Sequence, residues 1–237
     1  MITIPQKRLA PKTKKELFAR LVDVRRHGEY VMPTERYSGT GGPGLYLEDL
    51  LGLTSAGRDI PDALEWELKY YTAETNLITL FHKEPQPEGI MRYMVSKYGW
   101  KDAQGRLSFR HTIQGQSEKF RVDSDAGQVV VRPVKGNGNV PYWTEDDILS
   151  AAGGKLRRLV LVRGVKCGQK VSFERIDFYE NLQLSFFIWE VVKGAVAIDF
   201  DVRESKPGSK GLRNHGTKFR IAPENICRLY ARKERIC

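Results

Sequence analysis

The chain has 237 residues, and its 39 Lys and Arg stand against 29 Asp and Glu, a formal net charge of +10. With 41% hydrophobic and 10% aromatic residues, it is too apolar for a disordered chain and long enough to bury a core without disulfide or metal staples. The richest apolar run, 182–192, is broken by Gln183, Ser185 and Glu190, short of the ~18 apolar residues of a membrane span.

Thr13 and Glu16 have capping-box spacing, Leu17, Leu21 and Val24 follow at helical intervals, and Gly28 closes the predicted helix. The glycine-rich stretch 38–44 reads as a loop before a short helix, Leu45 to Leu51, ended by Gly52. Residues 63–71 (ALEWELKYY) alternate as a strand does, and 77–81 (LITLF) reads as a more buried one. A helix is predicted from Gly89 to Tyr98. Strands are predicted over 107–113, 118–123 and 129–134, the last two joined by a turn at 124–127. Thr144 with Asp147 caps a helix expected to end at Gly153-Gly154. Strands follow at 159–165 and 170–176, then an amphipathic helix from Asn181 to Lys193 and a strand over 195–202. A Gly- and Lys-rich loop spans 204–217, a short extended piece 218–221, and Pro223 is expected to open a terminal helix. This order, without repeats or long linkers, predicts one α/β (α+β) domain over 1–237, a central mixed β-sheet flanked by helices, with working loops inserted, notably 203–221.

The N-terminal MITIPQKRLAPKTKKE lacks the apolar core of a signal peptide. Cys167, Cys227 and Cys237 have neither metal nor redox spacing. Together these predict a reduced, cytoplasmic protein with no membrane partner. The positive excess favours a polyanion, nucleic acid first. From Arg203 to Arg235 ten Lys or Arg are opposed only by Glu204, Glu224 and Glu234, and 7–26 is a second basic run. A merely solvated basic surface is the alternative; for Arg228, Arg232 and Lys233, a solvated face of the last helix is the preferred reading.

The main chemical signal is Pro61-Asp62-Ala63-Leu64-Glu65-Trp66-Glu67-Leu68-Lys69. On a strand Glu65, Glu67 and Lys69 share one face, and Trp66, Leu68 and Tyr70 the other. A bend at Asp62 would bring its carboxylate beside that of Glu67. Two carboxylates and a main-chain carbonyl form a hard-oxygen site of the kind Mg²⁺ takes. A lysine two residues on can steady charge growing on a phosphate. The pattern also occurs by chance, with its charges simply solvated.

That block, continued by Leu77-Ile78-Thr79-Leu80-Phe81-His82-Lys83-Glu84-Pro85, resembles the MvaI/BcnI-type restriction endonucleases, relatives of the MutH mismatch-repair nickase within the PD-(D/E)XK nuclease fold. Gly44-Leu45-Tyr46-Leu47-Glu48-Asp49-Leu50-Leu51 is similar to that family's early helix, His111-Thr112-Ile113-Gln114-Gly115 to a middle strand, and Asn214-His215-Gly216-Thr217-Lys218-Phe219-Arg220-Ile221 to its C-terminal motif. These blocks lie in order from about residue 44 to 235.

The resemblance implies catalytic roles for Asp62, Glu67 and Lys69. Asp62 and Glu67 would bind Mg²⁺, for which Mn²⁺ would substitute, with the carbonyl of Leu68 as a further ligand, and Glu48 would border the site. Glu65 is not a catalytic position in the family and reads as solvated or supporting. Arg203 and Arg220 match base-contacting arginines, suited to the O6 and N7 acceptors of guanine. His82, Lys83, His215 and Lys218 are the further DNA-facing candidates, with Arg213, Lys206 and Lys210 as phosphate contacts. Lys218 stands where one branch of the family has a histidine, so the central base preference stays open. The implied function is a monomeric, Mg²⁺-dependent type II restriction endonuclease of a prokaryotic cytoplasm. It would cut double-stranded DNA at a short, G·C-rich, (pseudo)palindromic site, leave 5′-phosphate and 3′-hydroxyl ends, and have a cognate DNA methyltransferase as functional partner. The rivals are a MutH-like single-strand nickase and a non-catalytic basic DNA-binding protein.

Overall fold

The computed structural model describes residues 9–53 and 65–236. In chain order the elements are α1 (Lys14–His27), β1 (Glu29–Val31), α2 (Thr34–Tyr37), α3 (Gly42–Leu51), β2 (Trp66–Tyr71), β3 (Ile78–His82), α4 (Ile90–Tyr98), β4 (Trp100–Lys101), β5 (Leu107–Ile113), β6 (Phe120–Asp125), β7 (Gln128–Pro133), β8 (Tyr142–Thr144), α5 (Glu145–Leu156), β9 (Arg158–Cys167), β10 (Lys170–Leu182), α6 (Leu184–Val192), β11 (Val196–Glu204), β12 (Leu212–Asn214), β13 (Lys218–Ile221), a 3₁₀ helix (Pro223–Leu229) and β14 (Tyr230–Ile236). They fall into two compact units: Met1–Ile78 with Gly153–Gln183 and Ile226–Cys237, and Thr79–Ala152 with Leu184–Asn225. No helix among the described residues is long and apolar enough to cross a membrane.

In the first unit the sheet runs β1-β10-β9-β2, and β14 also pairs with β10. β2 lies parallel to β9, with Glu67 opposite Leu159 and Lys69 opposite Leu161. The strand period of two sends Trp66 and Leu68 to one face, where they join Val160, Val162, Ile176 and Phe178 in a core closed by Leu17, Leu21 and Val24 of α1 and Tyr46, Leu47 and Leu51 of α3. The cap of α1 is as expected: the Thr13 side chain accepts from the Glu16 N–H, and Gly28 closes the helix at φ 83°. α3 begins three residues before the expected Leu45 and ends at Gly52, which takes the left-handed conformation.

The second unit has a sheet ordered β3-β13-β11-β5-β4, with β12 also on β11, and a separate three-stranded sheet β6-β7-β8. β12 and β13 pair with successive stretches of β11 (Arg203 opposite Arg213, Asp199 opposite Lys218), and β5 pairs along the other edge (Asp201 opposite Arg110). Alternate β11 residues Val196, Ile198, Phe200 and Val202 are fully buried, as are Phe109 of β5 and Phe219 and Ile221 of β13. Asp199, Asp201 and Arg203, at the alternate β11 positions, therefore share the other, polar face.

Three expectations are corrected. α5 does not stop at Gly153-Gly154 but continues to Leu156. Each glycine costs about 1 kcal/mol relative to alanine inside a helix, and burial of Ala152 and Leu156 on either side of the pair outweighs it. The helix predicted from Asn181 starts only at Leu184, because β10 extends to Leu182, six residues beyond the expected Ile176. The terminal helix is a single 3₁₀ segment followed by strand β14. β14 zips antiparallel onto β10, where its cations meet carboxylates: Arg232 with Glu180 at 3.8 Å, Arg235 with Asp177 at 2.7 Å. Arg232 and Lys233 are thus strand residues in ion pairs, and Arg228 closes the 3₁₀ segment. Neither Cys167 nor Cys227 forms a disulfide among the described residues.

His111 of β5 lies among Phe109, Trp100 and Phe120, with ring centroids 4.8, 5.2 and 5.2 Å away. Burial, and then the charge of Lys119, lower its pKa below the usual 6.5, so the ring is neutral at pH 7. The unfolded chain binds the proton at the ordinary value. The stability contributed by the neutral ring is therefore complete above about pH 6.5 and is lost as pH falls through the lowered folded value. Denaturant unfolding between about pH 5 and 8 is expected to show this decline, and His111→Phe is expected to flatten it.

Candidate active site

Glu67 is 1% exposed. Its Oε1 lies 2.6 Å from Lys69 Nζ and 3.5 Å from Lys155 Nζ. Lys69 comes from the same strand two residues on, which the alternation requires. Lys155 comes from the last turn of α5, the turn that exists only because the helix runs through its glycines. A buried carboxylate costs several kcal/mol unless cations compensate it, and here two ammonium groups converge on one carboxylate oxygen. Tyr230 lies close by, its hydroxyl donating to the Leu156 carbonyl at 2.7 Å. Burial, the Glu67 charge and then Tyr179 push that hydroxyl well above the ordinary tyrosine range, so it stays neutral.

Asp62 lies outside the described residues. Glu48 is half-buried on α3, which packs along β2: a Cβ on Gly44 would sit 3.7 Å from that of Tyr70. Glu65 is half-exposed and paired with Arg158 at 2.7 Å, a supporting ion pair. Among the described residues no three His, Cys, Asp or Glu side chains converge on a metal position. Glu67 supplies a buried carboxylate beside the two lysines, and hard oxygens of this kind suit Mg²⁺. Lys155 was not legible as a site residue, since the glycine pair before it reads as a helix stop.

In the second unit the polar face of β11 organises the cations. Arg220 pairs with Asp199 at 3.2 Å, and Thr112 donates to the other oxygen of Asp199 at 2.6 Å. Lys218 lies 3.5 Å from one oxygen of Asp201, and Arg110 3.1 Å from the other. Desolvation and then the charges of Arg106, Arg110 and Arg213 lower the pKa of Arg203, with Asp102 opposing them, which marks a crowded cationic patch. Arg203 and Arg213 sit directly opposite one another.

His82 ends β3 and is exposed. Gly216, at φ +84°, lies against it, and an added Cβ there would come within 3.1 Å of the imidazole Cδ2. His215 is exposed, its N–H donating to the Asp201 carbonyl at 2.9 Å. Glu84 ties this loop down, accepting from Asn214 Nδ2 at 3.0 Å and from the Thr217 N–H at 2.8 Å. The structure thus gathers His82 and His215 at one loop and Arg203, Arg213, Lys218 and Arg220 on one sheet face. Lys83 is drawn aside into an ion pair with Asp147 at 2.7 Å, and its backbone carbonyl accepts from the Trp143 indole at 3.0 Å. Arg110, Asp199, Asp201 and Glu84 were not singled out from the sequence; strand alternation placing Asp199 and Asp201 beside Arg203 was the available signal.

The first unit thus holds a buried carboxylate flanked by two lysines, and the second presents arginines aligned on one sheet face. The chain is similar to the solved structure of the restriction endonuclease MvaI in complex with cognate DNA substrate, with a TM-score of 0.77, 23% identity, and coverage of 96% of this chain and 100% of that one. It is also similar to MvaI in the absence of DNA, with a TM-score of 0.57, 22% identity, and coverage of 97% and 100%. The fold is of the PD-(D/E)XK type. No curated protein sequence matches the chain. The model of the MvaI/BcnI restriction endonuclease family matches residues 20–230, and the chain belongs to that family, which makes it a DNA endonuclease.

The Glu84 clamp sets a test. Glu84→Ala is expected to cost about 1 kcal/mol of stability and to speed amide hydrogen exchange at 215–217. Unchanged exchange would show that the loop is held by other contacts.

Proposed function

We propose that the chain is a Mg²⁺-dependent type II restriction endonuclease that cuts both strands of duplex DNA at a short, G·C-rich, (pseudo)palindromic site, leaving 5′-phosphate and 3′-hydroxyl ends. The observation that carries this reading is the buried Glu67 carboxylate with Lys69 and Lys155 at one of its oxygens, in a chain whose family cuts DNA. The similarity to a structure holding cognate DNA supports a duplex substrate.

Asp62, Glu67 and the Leu68 carbonyl would hold Mg²⁺, with Mn²⁺ as a substitute; when bound there, the ion supplies Lewis-acid chemistry at the phosphate. Lys69 is placed to stabilise charge developing on the scissile phosphate, a contribution of about 10²–10³ in rate for a single well-aimed donor. Lys155 holds Glu67 in place from the other side, and Glu48 borders the site from α3. Arg203 and Arg220 would read guanine edges, with Arg213, Lys218, His82 and His215 facing the same duplex and Lys83 held in reserve by Asp147. The single nuclease domain of the sequence reading then becomes a first unit that cuts, into which the recognition elements of the second are inserted. The enzyme would work as a monomer in a prokaryotic cytoplasm beside a cognate methyltransferase.

Digestion of a sequenced genome with Mg²⁺, followed by mapping of the ends, tests activity and site together. Linear plasmid product is the expected outcome; persistent nicked circles would favour a MutH-like nickase, and no cleavage on varied DNA would favour a binding-only protein. Lys69→Ala is expected to lower the cleavage rate at least ~10²-fold while leaving duplex affinity within about threefold. Lys155→Met is expected to slow cleavage about tenfold or more; wild-type rates would remove Lys155 from the site.

A further inference from the structure

Residues paired across neighbouring strands point to the same face of a sheet. In the first unit the register aligns Glu67, Leu159, Tyr179 and Lys233 in one row, and Lys69, Leu161, Asp177 and Arg235 in the next. Tyr71, Arg163 and Arg175 form a third. The face that carries Glu67 and Lys69 therefore runs on across β9, β10 and β14 to a second charged cluster.

Asp177, 1% exposed, is the centre of that cluster. It accepts from Arg175 Nε at 2.7 Å and Arg235 Nε at 2.7 Å, with Lys233 Nζ at 3.6 Å. The ammonium of Lys233 also lies 5.4 Å from the Tyr179 ring centroid. The three cationic side chains remain 35–46% exposed. Arg163 sits beside them without a carboxylate partner among the described residues. One cation is enough to compensate one buried carboxylate, and three surround this one. An ion pair that merely fastened β14 to β10 would need only Arg235; Arg175 and Arg163 are not on β14 at all. Asp177 fixes Arg175 and Arg235 by their Nε groups, while the Arg175 and Lys233 side chains remain partly exposed to solvent, where such groups can meet phosphates.

We infer that Arg175, Lys233 and Arg235, anchored by Asp177, form with Arg163 on the neighbouring strand a phosphate-gripping subsite for the DNA backbone flanking the scissile bond. This rests on the endonuclease reading above and extends it to residues outside the candidate base-reading loop. Three strand spacings separate β2 from β14, about 14 Å, too far for the scissile phosphate itself, so the grip falls on flanking phosphates. Such contacts add affinity without reading sequence.

The test is equilibrium binding of two fluorescent duplexes, one carrying the mapped site and one lacking it, without divalent metal and across about 50–200 mM salt. Arg163→Gln, which breaks no ion pair, and the double variant Lys233→Gln/Arg235→Gln are compared with wild type. Each is expected to weaken binding of both duplexes by the same factor, at least about threefold per cation removed, with the salt slope shallower by about one per cation. Unchanged slopes and affinities in Arg163→Gln would overturn the inference, whether or not the double variant folds. So would a loss confined to the site-bearing duplex, which would mean base reading. Wild-type cleavage with Mg²⁺ is scored in parallel, so failure of the nuclease reading appears as uncut DNA, separately from the slopes.

Discussion

Glu67 is withdrawn from water on a strand whose opposite face is the core of its unit, and a carboxylate in that position is costly unless cations stand beside it. Lys69 and Lys155 both reach the same oxygen. The three charges are mutually dependent: remove the carboxylate and two partly buried ammonium groups repel; remove a lysine and the carboxylate loses half its compensation. Each of the three is thereby held at a defined distance from the others. The stabilisation of developing phosphate charge depends on donors already in place, because reorganising them at the moment of reaction would consume the energy they supply.

The second unit solves a related problem with opposite stoichiometry. Asp199 and Asp201 are few and the basic groups around them many, and the pairings with Arg220, Lys218 and Arg110 hold long side chains in defined directions. Partly exposed pairs of this kind add little to stability. Their value is conformational: an arginine already oriented loses less freedom when it takes up a partner. Glu84 acts in the same manner on backbone, fixing the turn that presents His215.

Much of this was legible in the sequence. The Thr13 cap, the Gly28 and Gly52 stops and the alternation along β2, β5 and β11 are local signals, and local physics decided them. The pairing of Glu67 and Lys69 on one strand face was legible for the same reason, whereas Arg203, Lys218 and Arg220 were singled out only through the resemblance to a family. Other features were decided by tertiary contact. Gly153-Gly154 reads as a helix stop, yet burial of Ala152 and Leu156 carries the helix past it. The segment 230–236 lacks a clean strand pattern because its charges answer carboxylates on β10 rather than solvent. Neither partner is visible within a window of a dozen residues.

Those two misread segments share a consequence. Each carries cations to the face of the first sheet that holds Glu67: Lys155 through the prolonged helix, Lys233 and Arg235 through the strand in place of a helix. As a helix, 230–236 would spread its charges around a cylinder, and no two neighbouring strand rows would align them. As a strand, every second residue falls on one face, and pairing with β10 sets Arg235 beside Asp177 and Lys233 beside Tyr179. The backbone conformation of the terminal segment thus determines the charge of a surface far from it in sequence, and a strand-breaking substitution there would disturb that surface as directly as a change to one of its cations.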